Sequence, residues 1–503
     1  MRTSLALAIA AAMTTASLTT AASAADTPNY SLTVYSSAAP GAITTETLVN
    51  YGGVLPGYAL VRDGRKMTLQ AGNGVLRFTD VAKRIDPTTV AFESVTDPAG
   101  TRVVEQNYQF DLVSRDKLLE RYVGETVTVE QQRGDNIERI AGKLLSAEGG
   151  ALILQRDSGE VITLGNYSNV LFPSLPGGLI TRPTLVWLVN AKQGGVHDTR
   201  VSYQTQGMTW WSDYNVTLRE QGDNCDMDLS AWVTIVNQSG ASYPAAQLKL
   251  VAGEVNRAPA PAPQMNYAKR NLALAAAPAA DGGFQESQLF EYHLYTLGRK
   301  SDLPDNSTKQ LELFPTATAV ACKKQLVFTA APQPWTYWAQ PIQDQGYGAT
   351  TTGTVGAFLE FENKEANKLG VALPAGRVRV NQASADGSLE FIGEDVIKHT
   401  PRNETLRIKL GNAFDVVGER KQMSFNVDTT AKTIDETFEI SVRNRKKTAA
   451  KVVVREYLYR WSSWNVTSKS HEFAKRDAQT IDFPVEIPAD GEAKVKYTVR
   501  YTW

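Results

Sequence analysis

Lys494-Val495-Lys496-Tyr497-Thr498-Val499-Arg500-Tyr501-Thr502-Trp503 alternates without a break: Val495, Tyr497, Val499, Tyr501 and Trp503 share one face, and the basic and threonine residues share the other. Successive side chains of a strand point to opposite faces, so a strand of this composition has one buried face and one wet face. The same alternation runs back through residues 377–380, 389–392, 405–410, 423–427, 437–442 and 452–461, with Asp386-Gly387 as a hairpin turn. Residues 346–503 therefore read as a β-sandwich of immunoglobulin-like size. An aromatic-ended last strand also occurs in outer-membrane barrels, which makes a membrane barrel the competing architecture. A barrel needs evenly spaced strands of about ten residues. The spacing here is irregular.

Working towards the N-terminus, residues 180–345 form a second β region, with strands expected at 184–189, 199–204, 211–218 and 229–236. Arg257-Ala258-Pro259-Ala260-Pro261-Ala262-Pro263 interrupts it, and the Ala/Pro composition of 257–284 predicts an exposed, disordered loop. Strand pattern resumes at 288–297. Residues 123–175 carry short strands at 125–131, 137–145, 151–155 and 160–164, separated by Arg133-Gly134-Asp135, Gly149-Gly150 and Asp157-Ser158-Gly159. This regular turn spacing suggests an SH3-like small barrel. Residues 25–122 are a small N-terminal β region with strands at 30–35 and a hairpin over Tyr58–Leu69 turning at Asp63-Gly64. Its one helix, from Ser114 as N-cap to Tyr122, turns Leu118 and Leu119 inward and stops before Gly124. The fold class is all-β.

Residues 1–24 read as a secretory signal peptide: Arg2, an apolar run from Leu5 to Met13, then Ala22-Ser23-Ala24 as the cleavage site. Thr14, Thr15, Ser17, Thr19 and Thr20 dilute the stretch below what a membrane helix needs, and no later segment reaches that length and apolarity. The chain has 503 residues and a formal charge of −1, which becomes about −2 once Arg2 leaves. Neither nucleic acid nor an anionic membrane surface is implied as a partner. The basic run Arg443-Asn444-Arg445-Lys446-Lys447 reads as a solvated hairpin tip. In an exported chain the two cysteines, Cys225 and Cys322, can form one disulfide, closing a loop of about 100 residues. Two buried free thiols are the other reading.

Catalytic signatures are missing from the sequence. His197, His293, His399 and His471 are not spaced as metal pairs, and there is no Gly-x-Ser-x-Gly elbow, phosphate loop or dinucleotide turn. No cofactor, metal or catalytic residue is assigned. Asp223, Asp226 and Asp228 surround Cys225, and the last two share a strand face where they could hold calcium or act as a glycosidase pair. The simpler reading is a turn entering the 229–236 strand. Asp302, Asp305 and Asn306 form a polar turn likewise. Aromatic residues cluster at Trp210-Trp211 with Tyr214, at Trp335-Thr336-Tyr337-Trp338, and at Tyr457-Leu458-Tyr459-Arg460-Trp461 with Trp464. Adjacent tryptophans on a strand face opposite ways, so at least one of Trp210 and Trp211 belongs to the core. Trp335, Tyr337 and Trp338, between Pro334 and Pro341, are the candidate platform for a sugar ring or peptide.

A family resemblance enters through Trp211-Ser212-Asp213-Tyr214-Asn215-Val216, the stretch from Leu229 to Gly240, Leu248-Lys249-Leu250-Val251-Ala252-Gly253-Glu254-Val255, Tyr292-His293-Leu294-Tyr295-Thr296-Leu297, Thr308-Lys309-Gln310-Leu311-Glu312-Leu313, and the ending from Pro488 to Trp503. These resemble the bacterial domain of unknown function 4139, from roughly Thr184 onwards. The same domain occurs in mucoidy-inhibitor-A-like proteins, which implies a cell-envelope setting. Those relatives carry a coiled coil before the domain, where this chain has the small barrel. The resemblance brings no catalytic residues. Three functional expectations follow: a non-enzymatic envelope module that binds protein or glycan partners through sheet edges and loops, a glycan-binding or glycan-active protein using Trp335, Tyr337 and Trp338, and an outer-membrane barrel.

Overall fold

The computed structural model describes residues 28–35, 43, 55–176, 179–221, 224–253, 255–256, 283–331, 340–384 and 386–503. The leader, residues 257–282 of the Ala/Pro stretch, Asp223, and Trp335, Tyr337 and Trp338 lie outside the described residues. Of the described residues, 67% are β-strand and 3% helix. The first strands are β1 (Asn29–Tyr35), β2 (Tyr58–Leu69), β3 (Gly72–Thr79), β4 (Ile85–Ser94) and β5 (Thr101–Gln109), then helix α1 (Arg115–Arg121). Next come β6 (Thr126–Arg133), β7 (Asn136–Ser146), β8 (Leu152–Gln155), β9 (Val161–Leu164) and β10 (Asn169–Leu171). The middle of the chain gives β11 (Thr184–Ala191), β12 (Gly195–Gln206), β13 (Met208–Gln221), β14 (Asn224–Asn237), β15 (Tyr243–Ala252), β16 (Phe284–Leu289), β17 (Tyr292–Leu303), β18 (Ser307–Thr329) and β19 (Thr350–Glu362). The last third gives β20 (Gly376–Ala383), β21 (Leu389–Ile397), β22 (Thr405–Asp428), β23 (Thr433–Asn444), β24 (Ala450–Tyr457), β25 (Trp464–Lys469), β26 (Ala474–Lys475), β27 (Thr480–Ile487) and β28 (Glu492–Thr502).

The strands form four sheets, ordered β16-β17-β15-β1-β2-β12-β4, β3-β11-β5, β10-β6-β7-β8-β9, and β21-β20-β13-β14-β18-β19-β22-β23-β28-β25 with β24, β26 and β27 attached through β18. The five-stranded sheet has its own core of Val127, Val129, Ile140, Leu144, Leu152 and Leu154, to which α1 adds Leu119. Ser114 caps α1 as expected, its hydroxyl accepting the Lys117 N–H at 3.2 Å. The returning strand β10 pairs with β6, but the end strands β9 and β10 do not pair, so the expected small barrel is an open sheet.

The other three sheets share the main core. Trp187 of β11 is fully buried between Phe78 and Phe92, and its indole N–H donates to Gln106 Oε1 at 2.8 Å. Asp63-Gly64 is not a turn: β2 runs straight through it, paired on one side with β1 and on the other with β12. Two flanking ladders override the local turn preference. The buried Asp63 carboxylate is met by Arg65, whose Nε donates at 2.9 Å and whose Nη2 bonds the second oxygen. The strand expected at 288–297 is instead the hairpin β16–β17, which turns at Phe290 (φ 57°).

A second core fills the C-terminal sandwich. Ile434, Phe438, Ile440, Val442, Val495, Tyr497, Val499 and Tyr501 of β23 and β28 face Val452, Val454, Ile481, Phe483, Val485 and Ile487 of β24 and β27. Each buried side chain of this size contributes about 1.5–3 kcal/mol. The apolar face of β28 is thus spent on a protein core, and β28 lies inside its sheet between β23 and β25. None of the sheets closes into a barrel. The membrane-barrel expectation is corrected on both counts. The basic run at 443–447 is also not a hairpin tip: β23 pairs with β22 and β28, β24 with β18 and β27, and the connection between them is held by Arg445 N–H to Asp415 O and Asp490 N–H to Lys446 O.

The two cores share strands. Leu311, Leu313, Val320 and Cys322 of β18 lie in the main core, and Leu326 and Phe328 of the same strand lie in the second. β19 and β22 do likewise, through Leu359 and Phe361 against Val355, and through Leu406 and Ile408 against Val416. Between these cores the large sheet coils until β21 meets β22. A Cβ on Gly393 would lie 2.2 Å from Leu410 O, so only glycine allows the approach. There the Asp395 carboxylate, in place of a strand ladder, accepts the Lys409 N–H at 2.7 Å.

Candidate functional site

β13 and β14 present their odd-numbered and even-numbered residues, respectively, on the outer face of the large sheet, away from the main core. Trp210, on the inner face of β13, is buried in that core, while Trp211, on the outer face, is buried in a small cluster with Ile43, Leu55 and Val236. Both tryptophans are therefore packed. Along β14 the outer face carries Asp226, Asp228, Ser230, Trp232 and Thr234, and the inner face Cys225, Met227, Leu229, Ala231, Val233 and Ile235.

Arg219 bridges the acidic pair at the end of this face. Its Nε donates to Asp226 Oδ1 at 2.6 Å, and Nη1 and Nη2 grip Asp228 at 2.7 and 2.8 Å. The Ala319 backbone N–H donates to Asp228 as well, at 2.9 Å. The Arg219 fork, then that N–H, hold the Asp228 carboxyl down at about 2. Two carboxylates clamped by one guanidinium are placed for structure, not for calcium or glycosidic chemistry. The folded pKa is depressed, so the stabilisation is complete above the unfolded value near 4 and disappears as the pH falls towards 2. We expect wild type to exceed Asp228→Asn by about 1–2 kcal/mol at pH 6 and the gap to close by pH 2, as read by urea denaturation at each pH.

Halfway along the same face stands Trp232, 38% exposed. It pairs directly with Asp213 on β13 and Glu312 on β18. Asp213 is buried beside it. One oxygen accepts the Trp211 indole N–H at 2.8 Å and the Thr234 hydroxyl at 3.2 Å, and the other faces Arg377 and Arg379 of β20 at 3.7 and 3.5 Å. Arg379 also reaches Glu394 of β21 at 3.5 Å. The result is an aromatic ring on an open sheet, bordered by charges of both signs that are fixed to one another. The sequence signal for it is simple: Trp232 is the one aromatic residue among the polar alternates of β14.

Two other polar clusters resemble chemistry without being arranged for it. Ser94 Oγ and His197 Nδ1 lie 2.9 Å apart, and His197 Nε2 lies 3.2 Å from the Gln193 carbonyl, which can only accept; Nε2 therefore carries the hydrogen and Nδ1 accepts from the serine. A nucleophile and base would meet in this way. Both residues are buried, however, and Ser94 Oγ also accepts the Asp97 N–H, so the hydroxyl caps a turn.

The second cluster lies in the C-terminal core. Arg420–Glu456 and Arg460–Glu436 are ion pairs whose four side chains have no exposure. Arg460 grips Glu436 through Nε and Nη2, each at 2.7 Å, and donates to the carbonyls of Ile342, Asp344 and Tyr347. Arg420 donates to Glu456 at 2.8 Å and to the Gly348 carbonyl, and its guanidinium lies 3.4 Å above the Phe438 ring. The Tyr497 hydroxyl gives Glu456 a second donor at 2.6 Å; burial first, and then that carboxylate, push this phenol well above its usual range. The aromatic run at 457–461 belongs to this framework: Leu458 and Tyr459 are buried, and Tyr459 donates to the Tyr347 carbonyl at 3.0 Å.

Cys225 and Cys322, directly opposite one another on β14 and β18, are joined by a disulfide. No protein-family model and no curated protein matches the chain.

Proposed function

We propose that this chain is an exported cell-envelope protein, akin to the domain-of-unknown-function-4139 proteins it resembles, and that it acts as a non-enzymatic binding or structural module. The observation that carries the reading is Trp232. A large ring left open on a sheet face, beside fixed charges of both signs, offers apolar contact area and directional hydrogen bonding together. In support, the titratable clusters described above are engaged with permanent partners within the fold. The test uses the mature chain as bait on envelope extract, with Trp232→Ala and, as a control elsewhere on the surface, Phe290→Ala. Species that wild type and Phe290→Ala retain and Trp232→Ala loses by about tenfold, a change worth about 1.4 kcal/mol, support the surface. Identical recovery by all three rules it out.

A glycan is the second reading, favoured by the exposed Trp232 sharing its face with Asn215, Ser230 and Gln310, which are polar. A glycan panel separates the two. Binding that Trp232→Ala abolishes selects the sugar, and silence across the panel with retained extract binding selects a protein.

A further inference from the structure

From β14 onwards one four-strand unit occurs three times. Each unit opens with a strand that runs into a fully buried asparagine: Asn237 closes β14, Asn363 follows β19, and Asn444 closes β23. Asn237 Nδ2 donates to the Ala241 and Pro304 carbonyls at 2.9 and 3.0 Å, Asn363 Nδ2 to those of Val371 and Pro401 at 2.7 and 2.9 Å, and Asn444 Nδ2 to those of Thr448 and Pro488 at 2.8 and 2.9 Å. Each Oδ1 accepts a backbone N–H from the segment that follows, of Ser239, Gly370 and Lys446. The last strand of each unit, β18, β22 or β28, returns antiparallel to the first. Between them lie the pairs β15–β17, β20–β21 and β24–β27.

In a repeat array each unit covers what its neighbour leaves open. The strand before each unit pairs with its opening strand: β13 with β14, β18 with β19, and β22 with β23. Twice, the other edge of that preceding strand is taken by the second strand of the next unit, running parallel to it. β20 covers β13 from Ser212 to Leu218, and β24 covers β18 from Leu326 to Thr329. On β18 the takeover comes three residues past Lys323, where the ladder to β14 stops. β22 is the third such strand. Its ladder to β19 stops at Lys421, and the matching position three residues further on is Ser424. β23 holds one edge of β22 as far as Asp428, but among the described residues no strand pairs with the other edge over Ser424–Val427. Ser424 and Asn426 are exposed there, and Phe425 and Val427 lie half-buried against the second core. An unpaired edge above a partly covered apolar row accepts another strand.

The two strands already seated in this way define what fits. β20 turns Val378 and Val380 onto the main core, and β24 turns Val452 and Val454 onto the second. A second copy of the chain has no such strand to give, because β15, β20 and β24 are each paired on both edges. We propose that the Ser424–Val427 edge of β22 is a docking site for an extended peptide of another protein, added parallel to β22 with alternate valine-like residues over Phe425 and Val427. This rests on the binding-module reading and names the kind of partner, at a place that does not involve Trp232.

The probe is a synthetic peptide with the sequence of Gly376–Ala383, added to the mature chain and followed by calorimetry and amide hydrogen exchange. We expect saturable binding, slowing of the fast-exchanging amides within 424–427, and unchanged affinity in Trp232→Ala, so that failure at this edge and failure at the Trp232 face are told apart. Successive residues of a strand turn their N–H groups to opposite edges. N-methylation at the two arginines or at the two valines should therefore weaken binding at least about tenfold in one peptide and little in the other. Absence of saturable binding, slowing confined to other segments, or equal behaviour of the two methylated peptides overturns the proposal. So does a free chain with no fast amide within 424–427, which would mean that residues 332–339 or a second copy already occupy the edge.

Discussion

Glu456→Gln is expected to destabilise the C-terminal sandwich by about 3–5 kcal/mol, the cost of leaving a buried guanidinium without its counter-charge. The replacement keeps the shape of the side chain, so packing is not the cause. Arg420 has no exposure, it is stacked on Phe438, and its other contact is the Gly348 carbonyl, so it can reach neither water nor another carboxylate without moving the loop that Arg460 also holds. The informative comparison is the double variant Arg420→Met/Glu456→Met. Removing both charges removes the desolvation penalty as well, and what stays unpaired is the Tyr497 hydroxyl and one carbonyl, about 1–3 kcal/mol. Urea denaturation should therefore show the double variant to be less damaged than the sum of the single variants, by more than the few tenths expected of independent sites. Additive losses would mean that the pair is not coupled as described.

Replacing Cys225 and Cys322 together by serine should cost up to about 4–5 kcal/mol, because the bond closes a loop of 97 residues and its removal frees the unfolded chain. The linked strands β14 and β18 are already paired across the position, so the folded state loses little apart from the bond. The loss should be seen equally in wild type treated with a reductant, once thiol titration shows two free groups. A melting temperature that does not move after full reduction would refute the chain-entropy account here.

Much of this architecture is legible in the sequence because alternation and burial report the same physics. β23 alternates buried and half-buried residues from Thr433 to Asn444, and four strands of the five-stranded sheet, all but β10, lie within a residue or two of where Gly-bearing turns place them. What escapes a local reading is decided by partners distant in sequence. Asp63-Gly64 has turn chemistry, yet two neighbouring strands and Arg65 hold it extended. β18 contains Pro315 and an alanine-rich stretch that look like breaks, and register shifts opposite β14 absorb them. The buried ion pairs did leave a trace: Glu436 lies on the inward face of β23 between Ile434 and Phe438, where a carboxylate is too costly unless an arginine waits for it. Trp232 is the converse, an aromatic residue on the wet face, and its worth depends on Asp213, Arg377 and Arg379, which only the fold brings near.

The strands common to both cores also govern how the molecule carries load. With 23 residues in β18 and 24 in β22, each strand is a single beam of up to roughly 75 Å that enters one sandwich and leaves through the other. No flexible tether stands between the two cores at this junction. A pull or twist applied to the C-terminal sandwich is transmitted through hydrogen-bonded ladders to the sheet that bears Trp232, and the Cys225–Cys322 bond rivets that sheet next to the point where β18 crosses over. The two sandwiches are thus joined through continuous, hydrogen-bonded strands.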